Sequence, residues 1–385
     1  MPEYAPPAVP REREYFVLRD GLPNAAARFF SAKGGAATVA FLGGSITATD
    51  GGWRDEVERW LAERFPRTRF TFVRAGIPSL GSVPHAFRLE RDILSAGRVD
   101  LCFVEAAVND PTNFTPPERM VRGMEGVARH LRRLQPACDV VHLHFAMPEH
   151  LEAYRAGRMP EAIRQHERVA ARYGNPSLDL AREVTERIAA GEFTWERDFR
   201  DLHPSPFGHR LYASSIARLL DAAFSTAGTR PKPHTLPKPV DAACYDAGRL
   251  LPPDAATERS GFRHEPRWKP TDGAGTRPGF VDVPALVGAE PGASFVLPFA
   301  GTAVGILVAA GPDAGRIAYE VDGRRYPSLD AFTPWSKNLH LPWALVLADG
   351  LRPGPHLLKV RLLPEHAPDS KGTALRILHF LVNGE

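Results

Sequence analysis

The fold class predicted for this chain is an α/β domain followed by an all-β domain. Its 385 residues exceed one typical domain and suit two. Between Thr38 and Phe224, short apolar runs alternate with amphipathic stretches, the pattern of a covered parallel sheet. From about Gly279 onward, strand-like runs are separated by turn residues, and no helical pattern intervenes. With 43% hydrophobic and 24% charged residues, both halves can bury a core.

The apolar runs of the first half are Thr38–Leu42, Phe70–Val73, Val99–Val108, Val140–Ala146 and the weaker Ser177–Leu180. Near-continuous apolar character is what strands covered on both faces require. Helical patterns lie between them. In Trp53–Phe65, the positions Trp53, Val57, Trp60, Leu61 and Phe65 make one apolar stripe. Pro116–Leu134 opens with proline and carries Met120, Met124, Val127, Leu131 and Leu134 on one face. Phe207–Phe224 closes the series with Leu211, Ile216, Leu219 and Leu220. This alternation predicts a three-layer α/β domain with right-handed crossovers.

The expected organisation is an N-terminal arm over 1–35, the α/β domain over 36–225, a proline-rich linker and irregular segment over 226–278, and a β-sandwich over 279–385. Proline is the compositional outlier, with 37 residues, roughly twice the ~5% background. Four prolines between Pro231 and Pro239 read as an extended linker. Asp322-Gly323 and Asp349-Gly350 are turn dipeptides of the β half.

Several functional classes are disfavoured. A formal net charge of +3 over this length does not predict a nucleic-acid or membrane-surface partner. Cys102, Cys138 and Cys244 lack CxxC spacing, so neither a disulfide framework nor a cysteine zinc site is expected. Cys102 and Cys138 read as buried thiols. No apolar stretch is long enough to span a membrane. The first residues lack the basic and apolar parts of a signal peptide, which makes a cytoplasmic location the default expectation. A secreted protein trimmed of its leader would read the same way.

Four loops carry candidate chemistry. Gly43-Gly44-Ser45 follows a predicted strand, at the sheet edge where open α/β folds place their sites. Read blandly, Ser45 or Thr47 is a helix cap. Asp201-Leu202-His203-Pro204-Ser205 precedes the last helix of the α/β half, and proline bracing suits a general base. The bland alternative makes Asp201 or Ser205 a cap. Val108-Asn109-Asp110 ends a buried strand and offers an amide donor for an oxyanion, or else a common turn. Ala75–Ser82 is a small-residue loop able to present backbone N–H groups. His142 and His144 share a strand face, but no third ligand is identifiable, so neither metal nor cofactor is expected. Arg88, Glu90, Arg91, Asp92 and Arg129–Arg133 read as exposed helix faces. Glu105, inside an apolar run, reads as support for the loops around Asn109.

In their order between Phe41 and Pro204, these loops resemble the four blocks of the SGNH (GDSL-like) hydrolases, serine esterases and carbohydrate deacetylases on a flavodoxin-like sheet. The resemblance implies Ser45 as nucleophile and His203 as base. It also implies an oxyanion hole from the Ser45 N–H, a glycine-block N–H and the Asn109 side chain. Three departures stand out. Gly44 replaces the family's Asp before the serine. Ser79 occupies the usual glycine of the second block, with Gly81 two residues on, so either N–H can serve. Arg200 stands where the acid normally lies, three residues before the histidine; the nearest carboxylates are Asp201 and Asp198, with Asp201 favoured.

In the β half, Phe332–Trp343 places Trp335 and His340 among polar residues and prolines, as candidates for contact with a sugar. A tryptophan in the sandwich core fits that spacing equally well. The expected function is a serine esterase removing acyl groups, acetyl foremost, from a carbohydrate. A short-chain lipid or small-molecule esterase is the first alternative. The second is a glycan-binding protein with an impaired hydrolase domain.

Overall fold

In the computed structural model, which describes residues 14–31, 34–225 and 231–384, all five apolar runs become strands of one sheet. The elements in chain order are β1 (Phe16–Val17), α1 (Pro23–Phe29), β2 (Gly35–Gly43), α2 (Ser45–Ala48), α3 (Trp53–Arg64), β3 (Thr68–Gly76), α4 (Ser82–Asp92), β4 (Leu101–Glu105), α5 (Asn109–Thr112), α6 (Pro117–Leu134), β5 (Asp139–His144), α7 (Pro148–Arg155), α8 (Glu161–Arg172), β6 (Ser177–Asp179), α9 (Leu180–Ala189) and α10 (Pro206–Ser225). The strand order is β1-β6-β5-β4-β2-β3. Strands β2 to β6 are parallel, and β1 adds an antiparallel edge. Without that edge the order is flavodoxin-like.

Both faces of the sheet are covered, which explains the unbroken apolar runs. Val39 and Phe41 of β2, Leu101 and Phe103 of β4, and Val141 and Leu143 of β5 join the core formed with α1, α3 and α10. Their neighbours Ala40, Leu42, Cys102, Val104 and Val140 point to the opposite face and are equally buried. Phe41, Trp53 and Phe103 meet in this core at centroid distances of 5.4 to 6.1 Å. All three cysteines are buried free thiols.

Two expectations about connecting segments change. The part of the N-terminal arm that is described supplies β1 and α1, so it belongs to the α/β unit; residues 1–13 lie outside the description. The proline-rich segment is no free tether. From residue 231 it runs extended along the same unit, its backbone held by side chains from Asn24, Glu125, Arg129 and Arg132. Arg129 and Arg132 therefore do not make a solvated face: Arg132 is buried, as is Arg88. Proline rigidity lowers the entropic cost of ordering such a strap.

Asp139, at the start of β5, ties these pieces together. Its buried carboxylate accepts the backbone N–H groups of Asn24 and Ala25 at 3.0 and 2.8 Å, at the N-terminus of α1. The ring of His234 from the strap lies 2.7 Å from its other oxygen.

The chain forms two compact units, one reaching Cys244 and one comprising Tyr245 onward with Ala86–Leu89 of α4. The second unit contains a seven-stranded and a six-stranded sheet among the described residues. Its core draws Phe295, Leu297 and Leu358 from one sheet and Ile306, Ile377 and Phe380 from the other, as a β-sandwich requires. The strands at Gly248–Leu251, Thr257–Ser260 and Arg263–Trp268 pair into these sheets. The second domain thus begins well before residue 279. No helix among the described residues is long and apolar enough to cross a membrane.

Replacing Asp139 with alanine leaves two buried N–H groups without their acceptor. The expected cost is about 2–4 kcal/mol in urea-unfolding stability. A change below about 0.5 kcal/mol, the scale of a neutral surface substitution, would contradict this role.

Candidate active site

Strand β2 lies between β3 and β4, and the connections from β2 and β4 leave on opposite sides of this pair. The crevice at their carboxyl ends is the switch point where open α/β sheets place ligands. Ser45 follows β2 directly, and Asn109 opens α5 just beyond β4. Two loops distant in sequence are thereby brought to one edge.

Glu105, the last residue of β4, sets the serine turn. Its buried Oε1 accepts the Gly44 N–H at 2.6 Å and the Thr47 hydroxyl at 2.7 Å. Its carboxylate thus holds the serine loop, and its carbonyl oxygen lies 3.2 Å from His85 Nε2, in the helix after the glycine block. The two glycines are required by close approach. A Cβ on Gly43 would lie 2.2 Å from Glu105 Oε1, and one on Gly44 2.0 Å from Asn109 Oδ1. The aspartate usual before the serine would displace the Asn109 side chain here.

The histidine loop meets the serine from the far end of the domain. Ser45 Oγ lies 2.8 Å from His203 Nε2. Asp201 Oδ1 accepts the His203 backbone N–H at 2.5 Å and stands 3.6 Å from His203 Nδ1. That carboxylate is 68% exposed and the imidazole 54%, so water screens their attraction. Asp198 is occupied elsewhere: its carboxylate accepts the Thr194 N–H and the Arg197 guanidinium. Between them Arg200 adopts φ +79, ending a π-helical turn over Trp195–Phe199. That altered turn is how a carboxylate two residues before the histidine reaches its ring. Ser205 Oγ accepts the Phe207 N–H, so the capping role falls to Ser205 and not to Asp201.

A second histidine lies in the same helix-start region as the first. His209 Nδ1 accepts the Trp53 N–H at 3.1 Å. Burial, with the neighbouring His203 as a smaller cause, lowers its pKa to about 4.

In the glycine block the two candidates differ in kind. Ser79 has φ +71, the left-handed backbone that favours glycine, and its carbonyl accepts the Asn113 side chain at 2.8 Å. Gly81 is held by packing: a Cβ there would lie 2.4 Å from Asp110 Oδ1. Asn113, which links this block to α5, escaped the sequence reading because nothing in a lone loop asparagine marks it.

In the second unit Trp335 is 52% exposed. His340 is buried, with Nε2 2.9 Å from Asp272 and its ring against Trp268, so it offers no surface to a sugar. His340 is therefore not the sugar contact expected of it. His142 and His144 engage separate partners, Asn175 and Glu167.

A serine on a histidine Nε2 at the switch point of such a sheet is an arrangement suited to acyl transfer. Residues 41–211 match the model of the GDSL-like lipase/acylhydrolase family, so this stretch is a domain of that family. Among curated proteins, none matches the sequence significantly. Two crystal structures of a two-domain esterase active on acetylated mannans are similar over nearly the full length. One is 23% identical with a TM-score of 0.74, covering 94% of this chain and 93% of that one. The other, co-crystallised with mannopentaose, is 22% identical with a TM-score of 0.71, covering 94% and 92%. These likenesses show the two-domain fold.

Restoring the family's aspartate by Gly44→Asp is expected to lower esterase kcat by at least about 100-fold, because its Cβ displaces Asn109. Wild-type turnover on p-nitrophenyl acetate in that variant would remove this account of Gly44. The second prediction concerns pH. An unfolded histidine titrates near 6.5, whereas folded His209 titrates at about 4. Between these values the unfolded chain binds the extra proton, so stability is intact above about 6.5 and falls toward pH 4, by on the order of 2–3 kcal/mol. Melting curves of His209→Asn over this window should show a shallower fall than wild type; an identical fall would exclude His209 as a source.

Proposed function

We propose that this protein is a serine esterase that removes acetyl groups from a carbohydrate through an acyl-enzyme on Ser45. The contact of 2.8 Å between Ser45 Oγ and His203 Nε2 carries the reading. His203 takes the hydroxyl proton as Ser45 Oγ attacks the ester carbonyl. The imidazolium then protonates the leaving sugar oxygen, and the acetyl group stays on Ser45. Water, deprotonated by the same ring, attacks the acyl carbonyl and releases acetate. Asp201 orients the ring and offsets its charge, across an exposed gap that makes its contribution smaller than that of a buried acid.

The oxyanion would be held by the Ser45 N–H, the Asn109 side-chain amide and one glycine-block N–H. Ser45 begins α2, where backbone N–H groups lack intrahelical acceptors. Ser79 is our choice for the third donor, since it alone in the block has the left-handed backbone among non-glycine residues. Gly81 serves by keeping Asp110 close.

The carbohydrate assignment is supported by the full-length likeness to an esterase active on acetylated mannans and by exposed Trp335, whose indole can stack on a pyranose face. The near-neutral charge suits an uncharged ester.

The test is hydrolysis of p-nitrophenyl acetate and of acetylated manno-oligosaccharides by wild type and variants. Ser45→Ala should lose about 1,000-fold or more in kcat, and Asp201→Asn about 10-fold. Trp335→Ala should weaken oligosaccharide binding measured by calorimetry and leave turnover of p-nitrophenyl acetate unchanged. Hydrolysis unaffected by Ser45→Ala would end the acyl-enzyme reading. Turnover of simple esters without turnover of any acetylated glycan would shift the substrate to a small molecule.

A further inference from the structure

The residue after Asn109 is a carboxylate with no access to water. Asp110 is 0% exposed. Its Oδ1 accepts the Ser82 N–H at 2.8 Å and packs against the Gly81 backbone. Its Oδ2 lies 2.8 Å from Nε2 of His166, which is also fully buried. One side chain therefore joins the start of α5, the end of the glycine block and α8. A buried carboxylate keeps a fixed position only while both oxygens are paired.

Helix α8 is anchored independently of this contact. The next residue, Glu167, binds His144 at 2.8 Å and Arg19 at 2.5 Å. The helix is thus a fixed post against which Asp110 is held, and loss of the His166 contact need not release the helix itself.

We propose that His166 is a positioning residue for the esterase reaction: through Asp110 it holds the Asn109 and glycine-block loops at the spacing the oxyanion needs. This rests on the oxyanion assignment above. His166 touches no substrate. Without it, Asp110 Oδ2 is left unpaired in the interior, and the carboxylate shifts toward a new partner, carrying Ser82 and Asn109 with it. A displacement near 1 Å in such donors weakens transition-state binding more than substrate binding.

The experiment compares wild type with His166→Leu, His166→Asn and His166→Gln. Leucine cannot donate, asparagine is too short to reach Asp110, and the glutamine amide can take the place of Nε2. Expected for Leu and Asn is a kcat on p-nitrophenyl acetate lower by about 10–100-fold, with KM within about twofold and wild-type behaviour largely restored by Gln. Amide hydrogen exchange at Ser82 and in 109–113 should quicken in the Leu and Asn variants and return in Gln. Wild-type kcat and exchange in a folded Leu or Asn variant would overturn the proposal, as would a kcat loss with Ser82 exchange unchanged. If Leu fails to fold, Asn gives the same two readouts. If wild type hydrolyses no ester, the esterase reading has failed, and Ser82 exchange alone then decides whether His166 holds the loop.

Discussion

Strands β2 and β4 are hydrogen-bonded neighbours, yet the chain leaves them toward opposite sides of the sheet. A right-handed crossover from each strand makes that divergence unavoidable. The loops that follow cannot cover the crevice between them, so their ends stay open to a ligand. Ser45 and Asn109 face one another for this reason, and the glycine block reaches them from β3 on the near side. The remaining architecture keeps this edge in register. Apolar layers press on both faces of the sheet, and the aromatic group of Phe41, Trp53 and Phe103 lies below the serine turn.

The loops themselves contain little apolar surface, and what orders them is a set of buried carboxylates. Glu105 binds the backbone of Gly44, Asp110 that of Ser82, Asp139 that of Asn24 and Ala25, and Glu125 that of Val240 and Asp241. In each case a charge removed from water is met by N–H groups that would otherwise be orphaned in a turn. The arrangement is demanding, because a half-paired carboxylate in the interior is worse than none. It also places loops accurately, since a hydrogen bond to a charged acceptor is short and directional. The contrast with Asp201 is instructive. That carboxylate is in water and 3.6 Å from its histidine, so its hold on the ring is weaker than that of the buried carboxylates on their loops.

The legibility of the sequence follows the range of the forces involved. The five strands were readable because burial on both faces leaves a run of apolar residues that needs no knowledge of its neighbours. Ser45, His203 and Asn109 were readable as the ends of such runs and from the order of four loops. The prolines between 231 and 239 announce extended backbone and say nothing about Glu125 or Arg132 waiting to receive it. The short strands between 257 and 268 are not legible because their mostly exposed, charged residues carry no apolar alternation, and Gly248–Leu251 is too short to show one. His340 looked polar and available, and only its contact with Asp272 and Trp268 removes it from the surface.

By itself, the sequence determined what depends on local pattern: a parallel sheet, its helices, a β-rich second half, and a serine, an asparagine and a histidine at loop positions suited to acyl transfer. Tertiary structure alone decided what depends on distance. It brought Asp201, and not Asp198, beside the histidine by way of the strained turn at Arg200. It set Asn109 against Gly44, so that a side chain there would displace the amide, and it joined His166 to Asp110 across 56 residues. Pattern records which side chains avoid water, which is a property of each residue and its near neighbours. Contact between remote polar groups is set by how the layers pack, and no run of residues records that.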